Sequence, residues 1–156
     1  WLIGILRGFI IFVILSAAAV FLFGFQFPPF VVLAVFLFGV FCSALLSGIL
    51  VSVLILIFGQ KAEITAWMFA YIFMLVAGIY YPIDTLPRFF YILAQFIPIT
   101  YFLEYFRASF GFAPLLGHGL LKGFILVIFY LWLGLLLMKL AFHKARQNGT
   151  IVRLSE

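Results

Sequence analysis

The stretch that decides the organisation of the chain is GIYYPIDTLPRFFYILAQFIPITYFLEYFR, residues 78–107. Three prolines interrupt it, Pro82, Pro87 and Pro98, and each lacks a backbone N–H and disfavours helical backbone at the preceding residue. They predict one short turn followed by two short helices. A helix of about ten residues rises only about 15 Å, half of the roughly 30 Å hydrocarbon core of a bilayer. We therefore predict that this aromatic segment forms a re-entrant or interfacial hairpin.

The composition is that of an integral membrane protein. Of 156 residues, 69% are hydrophobic and 8% are charged, whereas about a quarter of the residues in a typical soluble domain are charged. Most basic residues flank apolar runs, which indicates membrane anchoring rather than binding to nucleic acid. Cys42 is the only cysteine and lies inside an apolar run, so we predict a packing role for it. The sequence predicts one all-α transmembrane domain over residues 1–156 in the cell membrane, in contact with membrane lipids.

Four apolar runs are long enough to cross a bilayer, at residues 2–25, 30–59, 64–80 and 120–142. The hairpin is predicted between the last two, at residues 81–117, and a basic tail at residues 143–156. The second run carries small residues at four-residue spacing: Ala44, Gly48 and Ser52. Such a stripe lets another helix approach closely, and lining of a substrate groove is the alternative interpretation.

Basic residues predict the orientation, since cytoplasmic loops carry the excess of Lys and Arg. Six lie at the junctions of one side: Arg7, Lys61, Lys139, Lys144, Arg146 and Arg153. Three lie at the junctions of the other: Arg88, Arg107 and Lys122. We therefore expect the C-terminus and the loop of Lys61 and Glu63 in the cytoplasm, and the hairpin outside.

Two acid–base pairs lie in the hairpin region. Asp84 and Arg88 are four residues apart, and Glu104 and Arg107 are three apart, so either pair would share one face of a helix. A lone charge in a medium of low dielectric constant is costly. We predict that each arginine neutralises its neighbouring acid. The alternative is that Glu104 or Arg107 contacts a passing substrate or controls its exit.

Several classes of protein lack support in the sequence. No Asp or Glu lies in the middle of a predicted span, which argues against a proton-coupled transporter. An intramembrane serine protease could draw on Ser43, Ser47, Ser52 and His118, but no serine lies in a Gly-x-Ser-x-Gly motif. His-Glu-x-x-His and the phosphate-binding loop are absent from the sequence. We predict no catalytic, cofactor-binding or metal-binding residues, so a partner must carry any nucleotide hydrolysis.

Two motifs of this stretch resemble those of the membrane subunit of type-2 ABC exporters. They are Gly-Ile-Tyr-Tyr-Pro-Ile-Asp-Thr-Leu-Pro at residues 78–87 and Ile-Pro-Ile-Thr-Tyr-Phe-Leu-Glu-Tyr-Phe-Arg at residues 97–107. The family tends to show a Gly-x-x-x-Pro…Leu-Pro turn, a Leu-Pro-Leu-Thr-Tyr-like step and an acid-x-x-Arg ending. The polar sequence Lys61-Ala62-Glu63 looks like the cytoplasmic turn of that family. The resemblance covers about Ala44 to the tail, and the first span is an expected extension of it.

The resemblance implies a fold and a mechanism. Such permeases usually have six spans, so these four would be the third to the sixth. Two permease copies, identical or different, would pair, and two ATP-binding subunits holding ATP and Mg²⁺ would dock on the cytoplasmic side. The permease itself would not be an enzyme. Its outer hairpin would shape the exit gate through these candidates: Gly78, Tyr80, Tyr81, Pro82, Pro87, Pro98, Thr100, Tyr101, Glu104 and Arg107.

We predict from these features a permease subunit that exports an amphiphilic substrate such as a drug, a lipid or a lipid-linked compound. Spans with no charge in their middle and with aromatic outer ends suit a lipid-like cargo better than an ion. An exporter of a polysaccharide or teichoic-type polymer is an alternative, with aromatic stacking platforms at Tyr80, Tyr81, Tyr101 and Tyr105. A membrane scaffold that transports nothing is an alternative from another class.

Overall fold

The computed structural model describes residues 2–59, 62–113 and 119–147, without the side chains of Leu2, Ile5 and Gln147. These residues form helices joined by turns: α1 (Leu2–Phe23), α2 (Phe30–Phe58), α3 (Ala62–Val76), α4 (Arg88–Ala94), α5 (Pro98–Ala108) and α6 (Gly119–Gln147). A 3-10 turn, Ile83–Thr85, precedes α4. The chain divides into two compact units, Trp1–Phe30 and Val31–Glu156.

The first unit consists of α1 and the turn after it. This helix has 22 residues, a rise of about 33 Å, and its side chains are apolar on every face apart from Arg7 and Ser16. Such a pattern is typical of a helix in lipid. The predicted span ran to residue 25, but the helix ends at Phe23 because Gly24 takes a φ of 62°. The N–H of Gly24 donates to the carbonyl of Val20 at 3.0 Å.

Helices α2 and α6 are the long helices of the second unit. Each has 29 residues and is apolar and long enough to cross a membrane, as α1 is. The predicted basic tail began at residue 143, whereas α6 continues to Gln147. Lys144 and Arg146 lie in its last turn, where a positive charge interacts favourably with the helix dipole. Residues 148–156, including Arg153, lie outside the described part of the chain.

Helix α3 is shorter than the span predicted at residues 64–80. It has 15 residues, a rise of about 22 Å, which is less than a core of roughly 30 Å, so a crossing at α3 requires its flanking residues or local thinning of the bilayer. The helix stops at Val76 because Gly78 adopts a φ of 73° and turns the chain. The methyl group of an alanine at that position would lie 2.6 Å from Cγ2 of Ile83, so this tight turn requires glycine.

The three prolines of the central stretch stand where the short elements begin, as predicted. Pro82 precedes the 3-10 turn, Pro87 is the N-cap of α4, and Pro98 occupies the first turn of α5. Helices α4 and α5 meet at an angle of 95°, so together they form either a broken span or a re-entrant loop. Residues 114–118 of the predicted hairpin lie outside the described ranges.

The core of the second unit is built around Phe102 of α5, which is completely buried. It packs with Cys42 of α2 and Val127 of α6, so the packing role predicted for Cys42 is confirmed. A Cβ atom at Gly39 would lie 2.2 Å from Cγ of Phe102, and α2 approaches this ring only because residue 39 has no side chain. A second cluster joins α3, the 3-10 turn and α4.

Candidate functional site

The candidate site is the polar face of helix α5, formed by Thr100, Glu104 and Arg107. These residues follow one another at intervals of four and three, so they lie on one side of the helix. Thr100 is completely buried and Glu104 is 5% exposed, in a chain that is otherwise almost free of buried polar side chains over the residues described. Burial of such groups is costly unless they have hydrogen-bond partners. Their hydrogen bonds therefore identify the groups that the polar face contacts.

Arg107 joins helix α5 to the turn that follows α3. Its Nη1 donates to Oε1 of Glu104 at 3.1 Å, and its Nη2 donates to the carbonyl oxygens of Gly78 and, at 3.3 Å, of Ile79. The planar guanidinium can satisfy several acceptors at once, which an ammonium group does with less geometric definition. The guanidinium of Arg107 therefore binds the carboxylate of Glu104 and the backbone carbonyls of Gly78 and Ile79 at once.

Thr100 and Tyr81 bind further carbonyls at the same end of α3. Oγ1 of Thr100 donates to the carbonyl of Ala77 at 3.2 Å, and the hydroxyl of Tyr81 donates to that of Leu75 at 2.6 Å. The last carbonyls of a helix have no partner within the helix and carry a partial negative charge. Side chains from α5 and from the turn cap this end, with the positive charge of Arg107 nearby.

The ion pair of Glu104 and Arg107 is confirmed. The two side chains are 6% and 18% exposed, so neither charge is left alone in the protein interior. The predicted pairing of Asp84 with Arg88 is wrong: both residues are described, and no ion pair joins them. The prediction assumed one helix, but Asp84 belongs to the 3-10 turn and Arg88 begins a new helix after Pro87.

The other gate candidates lie in different environments. Tyr101 points away from the polar face; its ring is buried against α6, and its hydroxyl donates to the carbonyl of Gln95 at 2.8 Å. Tyr80 is 68% exposed, and Tyr81 and Tyr105 are half-buried. Because Tyr101 is only 4% exposed, the four tyrosines do not form one set of accessible stacking platforms.

Of the two residues predicted in the cytoplasmic loop, the structure describes Glu63 but not Lys61. Glu63 lies in the first turn of α3, where its negative charge complements the helix dipole, and it is exposed. Lys61 lies outside the described residues.

The serines of α2 are used within their own helix. Ser43, Ser47 and Ser52 each donate to the carbonyl four residues earlier, at 2.8, 2.9 and 2.8 Å. This arrangement offers no activated nucleophile, because an activated serine needs a base within hydrogen-bond reach. His118 lies outside the described residues. Among the residues described, no three His, Cys, Asp or Glu side chains lie close enough to hold a metal ion.

Sequence reasoning missed the connection between α5 and the end of α3. The spacing of Thr100, Glu104 and Arg107 was a usable signal, since three polar residues on one face of an apolar helix need acceptors or donors nearby. The sequence could not indicate which groups accept these hydrogen bonds, because the acceptors include backbone carbonyls and every residue carries one.

The sequence was also compared with models of known protein families. The sequence model of the ABC-2 type transporter family matches residues 1–111. The match includes α1 to α5, and the chain belongs to the ABC-2 type transporter family. The match includes the first span, as expected, but it ends before α6, whereas the resemblance was predicted to reach the tail. Searches of curated proteins and of solved structures found no significant match.

Family membership and the long apolar helices together define a multi-pass membrane protein that forms the permease part of a transporter. The permease part is not itself catalytic, and the family works in general with an ATPase partner and as a dimer.

Proposed function

We propose that this chain is the permease subunit of an ATP-driven exporter for an amphiphilic substrate, such as a drug, a lipid or a lipid-linked compound. The observation that carries the proposal is the match to the ABC-2 type transporter family over residues 1–111. The substrate class is supported by α2, whose 29 residues contain no charged side chain. A path bounded by such a helix gives an ion no counter-charge, but it tolerates an acyl chain or an aromatic ring.

ATP and Mg²⁺ belong in this proposal to a separate ATP-binding subunit, because the chain contains no phosphate-binding loop. Two permease copies, identical or different, form the path between them. Lys61, Glu63 at the start of α3 and the C-terminal end of α6 lie on the cytoplasmic side in this proposal. Lys144 and Arg146 in the last turn of α6 support that orientation through the excess of positive charge on cytoplasmic segments.

The bent pair of α4 and α5 forms the outer gate in this proposal. Its polar face binds the C-terminal end of α3 through Thr100 and Arg107. A displacement of α3 during the ATP cycle is therefore transmitted to α5, because separating the two would leave the carbonyls of Ala77, Gly78 and Ile79 without their side-chain donors. The hydrogen-bonded junction makes α3 and α5 move together.

Reconstitution tests the proposal. The permease is co-expressed with a candidate ATP-binding subunit and placed in liposomes with a fluorescent amphiphile. We expect ATP-dependent movement of the amphiphile and a rise in ATPase activity when the permease is present, with a non-hydrolysable ATP analogue as the control. Failure to co-purify any nucleotide-binding protein, together with unchanged transport on addition of ATP, would contradict it. If the chain were instead a membrane scaffold, deletion of its gene would leave every export activity intact.

A further inference from the structure

A shallow groove lies beside the elbow between α4 and α5, on the flank of α5 that carries Tyr101. Its lining is Gln95, Phe96, Tyr101, Lys122, Ile125 and Leu126. Its volume is about 300 Å³, at the small end of the range for sites that bind small molecules. It can therefore accommodate a head group and the beginning of a chain, but not a whole lipid.

The floor of the groove is fixed by close packing between α5 and α6. A Cβ atom at Gly123 would lie 3.0 Å from Cβ of Tyr101, so the absence of a side chain allows the ring to lie against α6. The hydroxyl of Tyr101 donates to the carbonyl of Gln95, which holds the elbow against the same ring. The depression is thus built by a buried residue with a defined hydrogen bond.

The lining divides into a polar end and an apolar strip. Ile125 and Leu126 follow Lys122 by three and four residues, so the three lie on one face of α6. Phe96 continues the apolar strip. Phe96 and Ile125 are exposed, 59% and 57% respectively. Lys122 is exposed, and no ion pair in the described part of the chain includes it. Gln95 lines the same groove, and its side-chain amide offers further donors.

We infer that this groove binds an anionic phospholipid as a resident lipid, separate from the transported substrate. The phosphate pairs with the ammonium of Lys122 and the amide of Gln95, and an acyl chain lies along Phe96 and Ile125. The stem of a lysine near a helix end can lie along apolar surface while its charge reaches the head-group level. One cation at the end of an apolar strip matches the charge and shape of such a lipid, whereas a zwitterionic lipid would bring its own positive group to Lys122.

The test is lipid titration of the full-length protein in detergent, monitored by native mass spectrometry. Phosphatidylglycerol, phosphatidylcholine and glycerol 1-phosphate are compared. We expect phosphatidylglycerol to bind at least fivefold more tightly than phosphatidylcholine, and glycerol 1-phosphate not to displace it. Lys122→Gln should weaken the binding of phosphatidylglycerol about fivefold, the typical effect of one basic residue near an anionic lipid, and Lys122→Arg should retain it.

Matched variants on α6 separate the groove from the rest of the helix surface. Ile125→Asn should also weaken binding, whereas Ile128→Asn, at an exposed position outside the groove lining, and Lys139→Gln, near the other end of α6, should change it less than twofold. Equal losses in the groove variants and the controls would overturn the proposal. So would equal binding of the two lipids, or displacement by glycerol 1-phosphate. Circular dichroism confirms that each variant remains folded.

Discussion

Arg107 is the residue on which the junction between α3 and α5 most depends. Arg107→Ala leaves the carboxylate of Glu104 buried without its partner and removes the donor to Gly78 and Ile79. Removal of one partner from a buried pair costs about 3–5 kcal/mol, and because Arg107 is partly exposed we expect a loss of about 2 kcal/mol in the free energy of unfolding. Denaturant titration in detergent micelles measures it.

Arg88→Ala is the matched control for this prediction. Arg88 is exposed, and the described residues include no ion pair with Asp84, so the effect should stay within about 0.5 kcal/mol. Lysine at position 107 should recover only part of the loss, because it lacks the planar set of donors. Equal stability of the two alanine variants would show that the junction does not hold α3.

Gly39 provides a prediction about packing in the main core. In Gly39→Ala the new methyl group meets the ring of Phe102 at 2.2 Å, so α2 and α5 must move apart, at a cost of about 1–3 kcal/mol. Gly48→Ala on the same helix meets nothing within 4 Å and should be neutral or slightly stabilising. Thermal unfolding of both variants gives the comparison.

A double variant tests whether the destabilisation by Gly39→Ala arises from the ring of Phe102. If the clash with Phe102 is its cause, Gly39→Ala should destabilise much less in a Phe102→Leu background, where the side chain is smaller and more adaptable. The two positions are in contact, so non-additive effects are expected. Full additivity would mean that Gly39 acts through backbone flexibility alone.

The turn after α3 illustrates how an element ends. Gly78 and Gly111 both have positive φ, 73° and 88°, but only Gly78 is crowded, by Ile83. Alanine at either position incurs backbone strain of about 1–2 kcal/mol, and only Gly78→Ala adds a steric clash. We therefore expect Gly78→Ala to lower the thermal unfolding midpoint clearly more than Gly111→Ala does. Equal shifts would mean that Ile83 moves aside freely.

At the scale of elements, the sequence predicts best where the determinant is local. Proline removes a donor and fixes φ at its own position, so Pro82, Pro87 and Pro98 correctly marked three element starts. The end of α3 was predicted four residues late, because the apolar run continues past Gly78 and gives no indication that this glycine adopts a positive φ. The contacts of Phe102 with Gly39 were also not predictable, since they depend on how α2, α5 and α6 meet.

The pairing of acids and bases shows the same limit. Glu104 and Arg107 belong to one uninterrupted helix, so their spacing alone was enough to predict the ion pair. Asp84 and Arg88 have a similar spacing, but Pro87 separates their elements and removes the geometry that the prediction required. Spacing rules thus hold only where the element itself has been predicted correctly.

At the scale of the whole molecule, the path of α4 and α5 through the membrane decides how the permease operates. A re-entrant pair brings the residues before α4 and after α5 to the same side of the bilayer, whereas a broken span separates them. Thr85 and Phe112 are exposed and flank the pair, so they report on the two alternatives. Lys144, exposed in the last turn of α6, reports on the C-terminal side.

Cysteine labelling distinguishes the two paths, and replacement of Cys42 by alanine removes the one cysteine of residues 1–156. A membrane-impermeant maleimide should label Thr85→Cys and Phe112→Cys in intact cells, and Lys144→Cys only after permeabilisation. The reason is that a pair bent by 95° can return to the surface from which it entered, with its backbone packed on neighbouring helices. If Thr85→Cys and Phe112→Cys label from opposite sides, the pair is a broken span, and the outer gate proposed for it would have to be abandoned.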